Sequence, residues 1–179
     1  VNKQLIVITG GPGTGKTTLI NALIEKGFTC FPEISREITQ RAKEQGIEQL
    51  FLENPILFSQ MILEGRKKQF DEAINIPDEI VFLDRGIPDV LAYMNYIGDT
   101  YPPLFDIACK ENSYESVFLL PPWKEIYTPD EHRYETFEQA QLLYNHLKET
   151  YQYFGYNPIE IPQDTIANRI LCILDKIST

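Results

Sequence analysis

Cysteine is scarce in this chain: Cys30, Cys109 and Cys172 are its three. None belongs to a C-x-x-C pair, so neither a disulfide framework nor a zinc site is supported, and the expectation is three reduced, mostly buried thiols. Long apolar runs are missing too. Leu5-Ile6-Val7-Ile8 falls far short of the ~20 residues that cross a bilayer, and no charged leader precedes a long apolar stretch. The expected setting is therefore the cytoplasm. Basic charge is in deficit, with 16 Lys and Arg against 26 Asp and Glu, for a net charge of −10. That argues against general nucleic-acid binding, although a local basic pocket for a small anion stays open. The two histidines, His132 and His146, have no metal-ligand spacing. Repeats, low-complexity tracts and linkers are absent.

What is present suits a packed domain. The 179 residues are 43% hydrophobic and 12% aromatic, enough for a substantial core, and a single domain over 1–179 is expected. Lys3–Thr9 is a β-branched, nearly continuous apolar run, the pattern of a strand buried on both faces of a parallel sheet. Further strands are expected at Phe28–Phe31, Ile80–Leu83, Ser116–Leu120 and Pro158–Ile161. Helices are expected at Thr17–Lys26, Glu33–Gln45, Pro55–Ile74, Pro88–Ile97 and Pro103–Asn112. Two capping-box signals, at Thr128–Glu131 and Thr136–Gln139, follow the fourth strand. The second opens a helix with Phe137, Ala140, Tyr144, Leu147, Tyr151 and Phe154 facing inward. Asp164 is the expected cap of a last helix bearing Ile166, Ile170, Ile173, Leu174 and Ile177 on one face. Strands alternating with helices predict an α/β fold with a five-stranded parallel sheet between helical layers.

The sharpest signal is Gly10-Gly11-Pro12-Gly13-Thr14-Gly15-Lys16-Thr17, a full G-x-x-x-x-G-K-[ST] phosphate loop. It follows a buried strand and opens an amphipathic helix. Glycines let backbone N–H groups converge on phosphate oxygens, and the helix, which continues through Thr18, adds its positive end. Lys16 is expected at the β- and γ-phosphates, and the Thr17 hydroxyl on magnesium. The loop itself does not separate a phosphoryl donor from a switch.

Asp84 follows the third strand, the place of a Walker B carboxylate that holds magnesium directly or through water; a turn or capping Asp is the alternative. Arg85 suits a phosphate or a surface acid equally. Glu33, after the second strand, reaches the same sheet edge, where it suits a general base or a helix-start acid. Arg36, one turn on, suits an anionic acceptor or solvent. The charged stretch of about 123–135 is placed as a lid, with Arg133 as the charge-stabilising arginine and Lys124 and His132 as weaker choices. A solvated loop is the alternative there.

Together G-G-P-G-T-G-K-T, F-P-E-I-S-R-E, F-L-D-R-G-I-P-D and L-L-P-P-W-K-E-I-Y-T-P-D-E-H-R-Y-E-T-F resemble the bacterial "predicted ATPase" family. That family is related to a nicotinamide-riboside kinase domain and to an animal GTP-binding trafficking protein. The layout is more distantly similar to deoxynucleoside and thymidylate kinases. The resemblance implies a three-layer, nucleoside/nucleotide-kinase-like P-loop NTPase with Glu33 as base, Thr17 and Asp84 on magnesium, Arg85 on phosphate and Arg133 in the lid. It also implies an adenine site near Pro162–Asn168. Those kinases carry E-R-S or D-R-Y/F where this chain has Asp84-Arg85-Gly86, so the acceptor is not fixed.

Two readings follow. One is a kinase moving the γ-phosphoryl of Mg·ATP to a hydroxyl of a small nucleoside-like acceptor. The other is a regulatory NTPase, using ATP or GTP, that hydrolyses slowly and reports its bound state by loop ordering. No N-K-x-D base-reading segment supports a dedicated GTPase: Asn2-Lys3-Gln4-Leu5 fails at its last position.

Overall fold

The computed structural model describes residues 2–127 and 136–177. Five strands, β1 (Gln4–Gly10), β2 (Thr29–Phe31), β3 (Ile80–Asp84), β4 (Ser116–Leu120) and β5 (Ile159–Glu160), form one parallel sheet in the order β2-β3-β1-β4-β5. The helices are α1 (Lys16–Glu25), α2 (Ser35–Glu44), α3 (Leu50–Glu53), α4 (Pro55–Asn75), α5 (Pro88–Ile97), α6 (Leu104–Glu111), α7 (Phe137–Tyr153) and α8 (Ile166–Ile177). A 3₁₀ turn spans Lys124–Ile126.

The continuous apolar character of β1 comes from burial on both faces. Leu5 and Val7 join Val81, Leu83 and Val117 under α2, α4, α5 and α6, through Ile38, Leu63, Phe70, Leu91 and Phe105. Ile6 and Ile8 join Phe82, Phe118 and Leu120 on the opposite face, under α1 and α8, through Leu19, Leu23, Ile170 and Ile173. The result is the expected three-layer α/β arrangement. Each fully buried aliphatic side chain contributes roughly 1.5–3 kcal/mol of transfer free energy.

Several local expectations shift. The second helix starts at Ser35 rather than Glu33, because the Glu33 carboxylate accepts from the Ser35 N–H at 2.9 Å and so sits ahead of the first turn. The short α3 was not legible, and Asn54 caps α4 by accepting from the Leu57 N–H at 3.1 Å, with Pro55 at the first turn. Thr136 and Gln139 form the expected capping box. On α7, however, the buried stripe is Ala140, Leu143, Leu147, Thr150 and Tyr151. Phe137 and Phe154 flank it half-buried because they stand at the two ends of the helix, and Tyr144 does so because its hydroxyl donates to Glu160. Thr165, not Asp164, caps α8: its hydroxyl accepts from the Asn168 N–H at 3.2 Å, while Asp164 accepts from the Thr165 N–H at 2.6 Å. The Thr128–Glu131 box lies outside the described residues, as do Arg133 and His132.

No described helix is long and apolar enough to cross a membrane. The three thiols are unpaired, with Cys109 buried and the other two half-buried.

Because β1 is central and Ile6 is fully enclosed, Ile6→Ala should lower stability by about 2–5 kcal/mol in urea unfolding. A loss under about 1 kcal/mol would contradict this packing.

Candidate active site

The sheet positions the chemistry through its connections. After β1 the chain turns to α1 on one face, and after the neighbouring β3 it turns to α5 on the other. Loops that part in opposite directions from adjacent parallel strands leave a crevice at their carboxyl ends. The phosphate loop lines one side of that crevice, and Asp84-Arg85-Gly86 lines the other.

Lys16, the first residue of α1, is buried and forms an ion pair with Asp84 at the end of β3. Burial pushes the Lys16 ammonium below its usual pKa and Arg85 repels it, while Asp84 and Glu33 oppose both effects. Thr17 and Thr18 are exposed on the opening turn of α1. Thr14 is buried, and its hydroxyl donates to the Gly11 carbonyl at 3.1 Å. Gly10 is also tight, since a Cβ there would lie 2.8 Å from the Leu120 carbonyl oxygen. Pro12 sits half-buried between buried Gly11 and Gly13.

Arg85 is the one non-glycine residue with positive φ among the described residues, at 71°. Its N–H donates to the Ile8 carbonyl at 2.9 Å, extending the β3–β1 ladder past Asp84. A left-handed arginine costs on the order of 1 kcal/mol. The turn leaves its Nε 2.5 Å from Glu33 Oε2 and its Nη1 4.0 Å from Asp89 Oδ1.

Glu33 is thereby held between two guanidiniums. The second belongs to Arg66, which is 5% exposed in the middle of α4. Its Nη2 lies 3.1 Å from Glu33 Oε1, and its Nη1 donates to the Gly86 carbonyl at 3.2 Å. Burial alone would raise the Glu33 pKa; Arg66, Arg85, Lys16 and the Ser35 N–H outweigh it and hold the value at about 2. Glu33 thus faces the crevice and also caps the approach to α2. Both readings of it have a geometric basis. Arg36 is exposed and pairs with no described carboxylate.

Sequence reasoning missed Arg66 and Asp89. Asp89 is 3% exposed on the first turn of α5 and ties four elements together. It accepts from the Thr9 and Tyr151 hydroxyls and, at 3.0 Å, from the Gly86 N–H. This fixes the turn that carries Asp84 and Arg85. It also explains glycine at 86, where a Cβ would lie 2.7 Å from the Tyr151 hydroxyl, 3.0 Å from Val7 Cγ2 and 3.1 Å from Tyr114 Cε2. Those two tyrosines fill the space that a larger residue would need. A cleft of about 290 Å³ between α5 and α7, lined by Leu91, Asn95, His146 and Phe154 among others, shares no residue with this cluster.

Among the described residues no group of three or more His, Cys, Asp and Glu could hold a metal. One carboxylate and one hydroxyl, Asp84 and Thr17, are a donor set suited to magnesium, which keeps waters and takes substrate phosphates as its other ligands.

The AAA domain family matches residues 5–169. No curated protein matches the chain. Among solved structures, a deoxyadenosine kinase from M. mycoides with bound dATP superposes with a TM-score of 0.71 at 18% identity, covering 98% of this chain and 100% of that one. The same enzyme with dCMP as product gives 0.71 at 19% identity, covering 98% and 99%. A NadR protein in complex with NAD and AMP-PNP gives 0.73 at 17% identity, covering 99% of this chain and 50% of that one. This chain therefore spans about half the length of NadR. At these identities the likeness is one of fold.

The Glu33 environment sets a pH signature. A carboxylate whose folded pKa lies near 2, against an ordinary 4.5, stabilises the fold fully above 4.5 and loses that contribution as pH falls toward 2. Between about pH 6 and about pH 3, the urea midpoint of wild type should fall further than that of Glu33→Gln. Parallel curves would show that Glu33 is not held ionised.

Proposed function

We propose that this chain, which belongs to the AAA domain family, is a P-loop phosphotransferase that moves the γ-phosphoryl of Mg·ATP to a hydroxyl of a small nucleoside-like acceptor. The observation that carries this reading is the convergence of the phosphate loop with Asp84, Arg85, Arg66 and Glu33 at one crevice. A plain hydrolase needs a phosphate cradle, a metal carboxylate and a positioned water; two arginines and an ionised carboxylate clustered beside the cradle suit the recognition of an acceptor. The dATP-bound deoxyadenosine kinase and the NadR protein with AMP-PNP lend support as neighbours in fold.

In this reading Gly10–Thr18 cradle the triphosphate, and Lys16 leaves Asp84 for the β- and γ-phosphates. Asp84 and Thr17 would hold Mg²⁺, which supplies charge neutralisation on the phosphates. Arg85 orients the phosphoryl group. Glu33 accepts a hydrogen bond from the acceptor hydroxyl and orients it. With a pKa of about 2 it is a weak base, which suits a loose transition state in which the proton leaves late. The reading assigns a lid role to the charged segment of about 123–135 of a single domain over 1–179, with charge stabilisation by Arg133, which lies outside the described residues. In this reading the enzyme is cytoplasmic, and its acidic balance argues against general nucleic-acid binding.

The low basicity of Glu33 also favours a second reading, a regulatory NTPase on ATP or GTP with slow hydrolysis. The two differ in acceptor dependence. A screen of nucleosides, nucleotides and sugars for ADP release should find an acceptor that raises the rate; release that no acceptor alters would sink the kinase reading and favour the switch.

Two variants test the assignment. Lys16→Ala should cut turnover by roughly 10²–10³, since it removes a preorganised charged donor, and calorimetry with Mg·ATP should register weaker binding. Unchanged turnover and affinity would refute the phosphate site. Glu33→Gln should slow single-turnover transfer by about 10², at the low end for a proton acceptor, with nucleotide affinity nearly constant. Equal transfer rates would leave Glu33 as a helix-start acid only.

A further inference from the structure

Arg169 lies in the first turn of α8 and is fully buried, at 0% exposure, among the apolar residues of that face. Its Nε donates to the Pro162 carbonyl and its Nη2 to the Thr14 carbonyl, both at 3.0 Å. Its Nη1 lies 2.8 Å from where a Cβ on Gly15 would stand, so the guanidinium packs against the loop backbone just ahead of Lys16. The Trp123 ring lies over it, 5.5 Å from the guanidinium carbon to the ring centroid.

These contacts belong to a larger brace. The Trp123 N–H donates to the Gly13 carbonyl at 3.0 Å, and Gln163 Nε2 donates to the Pro122 carbonyl at 2.9 Å. The Thr14 hydroxyl takes the Gly11 carbonyl. Three carbonyls of the loop, at 11, 13 and 14, therefore have fixed partners. The peptides at 13 and 14, pinned by their carbonyls on one side, present the N–H groups of Thr14 and Gly15 on the other, which is how a nest of amides meets an anion, whereas the Gly11 peptide ends at Pro12 and has no N–H to offer.

Arg169 is also short of countercharge. Among the described residues no carboxylate lies within ion-pair distance of it, and burial lowers its pKa. Carbonyl dipoles and an indole face compensate a buried guanidinium only in part. An aliphatic residue of similar length would fill the same space without that desolvation cost. An anion in the adjoining loop would complete the compensation.

We propose that Arg169 is a positioning residue of the phosphate loop: it pins the Thr14 carbonyl and gives the loop a buried positive charge that favours polyphosphate without touching it. The proposal rests on the reading of Gly10–Thr17 as a triphosphate site. Calorimetric titrations with Mg·ATP and with inorganic triphosphate, on wild type, Arg169→Gln and Arg169→Lys, separate the two. Wild type that binds neither ligand overturns the site reading and this inference with it. With wild type binding, Arg169→Gln should weaken both ligands by roughly ten- to a hundred-fold, and Arg169→Lys, which keeps the charge, should recover part of the loss. Variants that melt earlier yet bind both ligands as wild type does would make Arg169 a structural strut and overturn the proposal, as would equal losses for Lys and Gln. If Arg169→Gln does not fold, the Nε–H resonance of Arg169 in wild type decides. It should shift as inorganic triphosphate saturates the loop, and an unmoved resonance at saturation refutes the coupling.

Discussion

Charges taken out of water must be paired, and that requirement organises the whole carboxyl edge of this sheet. Lys16, Arg66 and Arg85 meet Asp84, Glu33 and Asp89, three cations with three anions. Each comes from a different stretch of chain: α1, α4, the turn after β3, β3 itself, the loop before α2, and α5. None of these elements can move alone without stranding a charge in a low-dielectric site. The set is neutral as it stands, so an incoming anionic nucleotide re-pairs charges that already exist. In the proposed reading Lys16 would exchange one anion for another, and the carboxylate it releases would become available to a cation.

The same economy governs the turn at Arg85. A left-handed arginine is unfavourable in isolation, but the Ile8 carbonyl, Glu33 and Asp89 over-determine its position. Asp89 in turn is held by hydroxyls from β1 and α7. Burial and the neighbouring Asp89 raise the Tyr151 pKa well above its ordinary value, which keeps that phenol a donor. The glycine at 86 is thus a packing consequence of Tyr151 and Tyr114.

What the sequence made legible was what periodicity and spacing encode. β1, β3 and β4 were read from unbroken apolar runs, the phosphate loop from its glycines, and Asp84 from its place after a buried strand. Arg66 and Arg169 were invisible to that reasoning, because hydrophobic patterning treats a charged residue in an apolar stripe as noise. Each becomes intelligible only once a partner distant in sequence is known: Glu33 for the first, the Thr14 carbonyl for the second. Glu33 itself was placed two residues too deep in a helix, since a carboxylate that accepts from the first turn looks, in sequence, like part of it. The α7 stripe was misjudged for a related reason. Large aromatics weigh heavily in a pattern, yet Phe137 and Phe154 stand at the helix ends and Tyr144 turns its hydroxyl to Glu160.

The bond between Arg169 and Thr14 spans 155 positions. On the ribosome the phosphate loop emerges well before the arginine that pins its Thr14 carbonyl. β1 likewise waits for β3 and then β4 to flank it. The oldest part of the nascent site is therefore the last to take its shape. A chain stalled before α8 carries the letters of a phosphate loop without the arginine that pins its Thr14 carbonyl, so that brace is deferred until nearly all of the described fold exists.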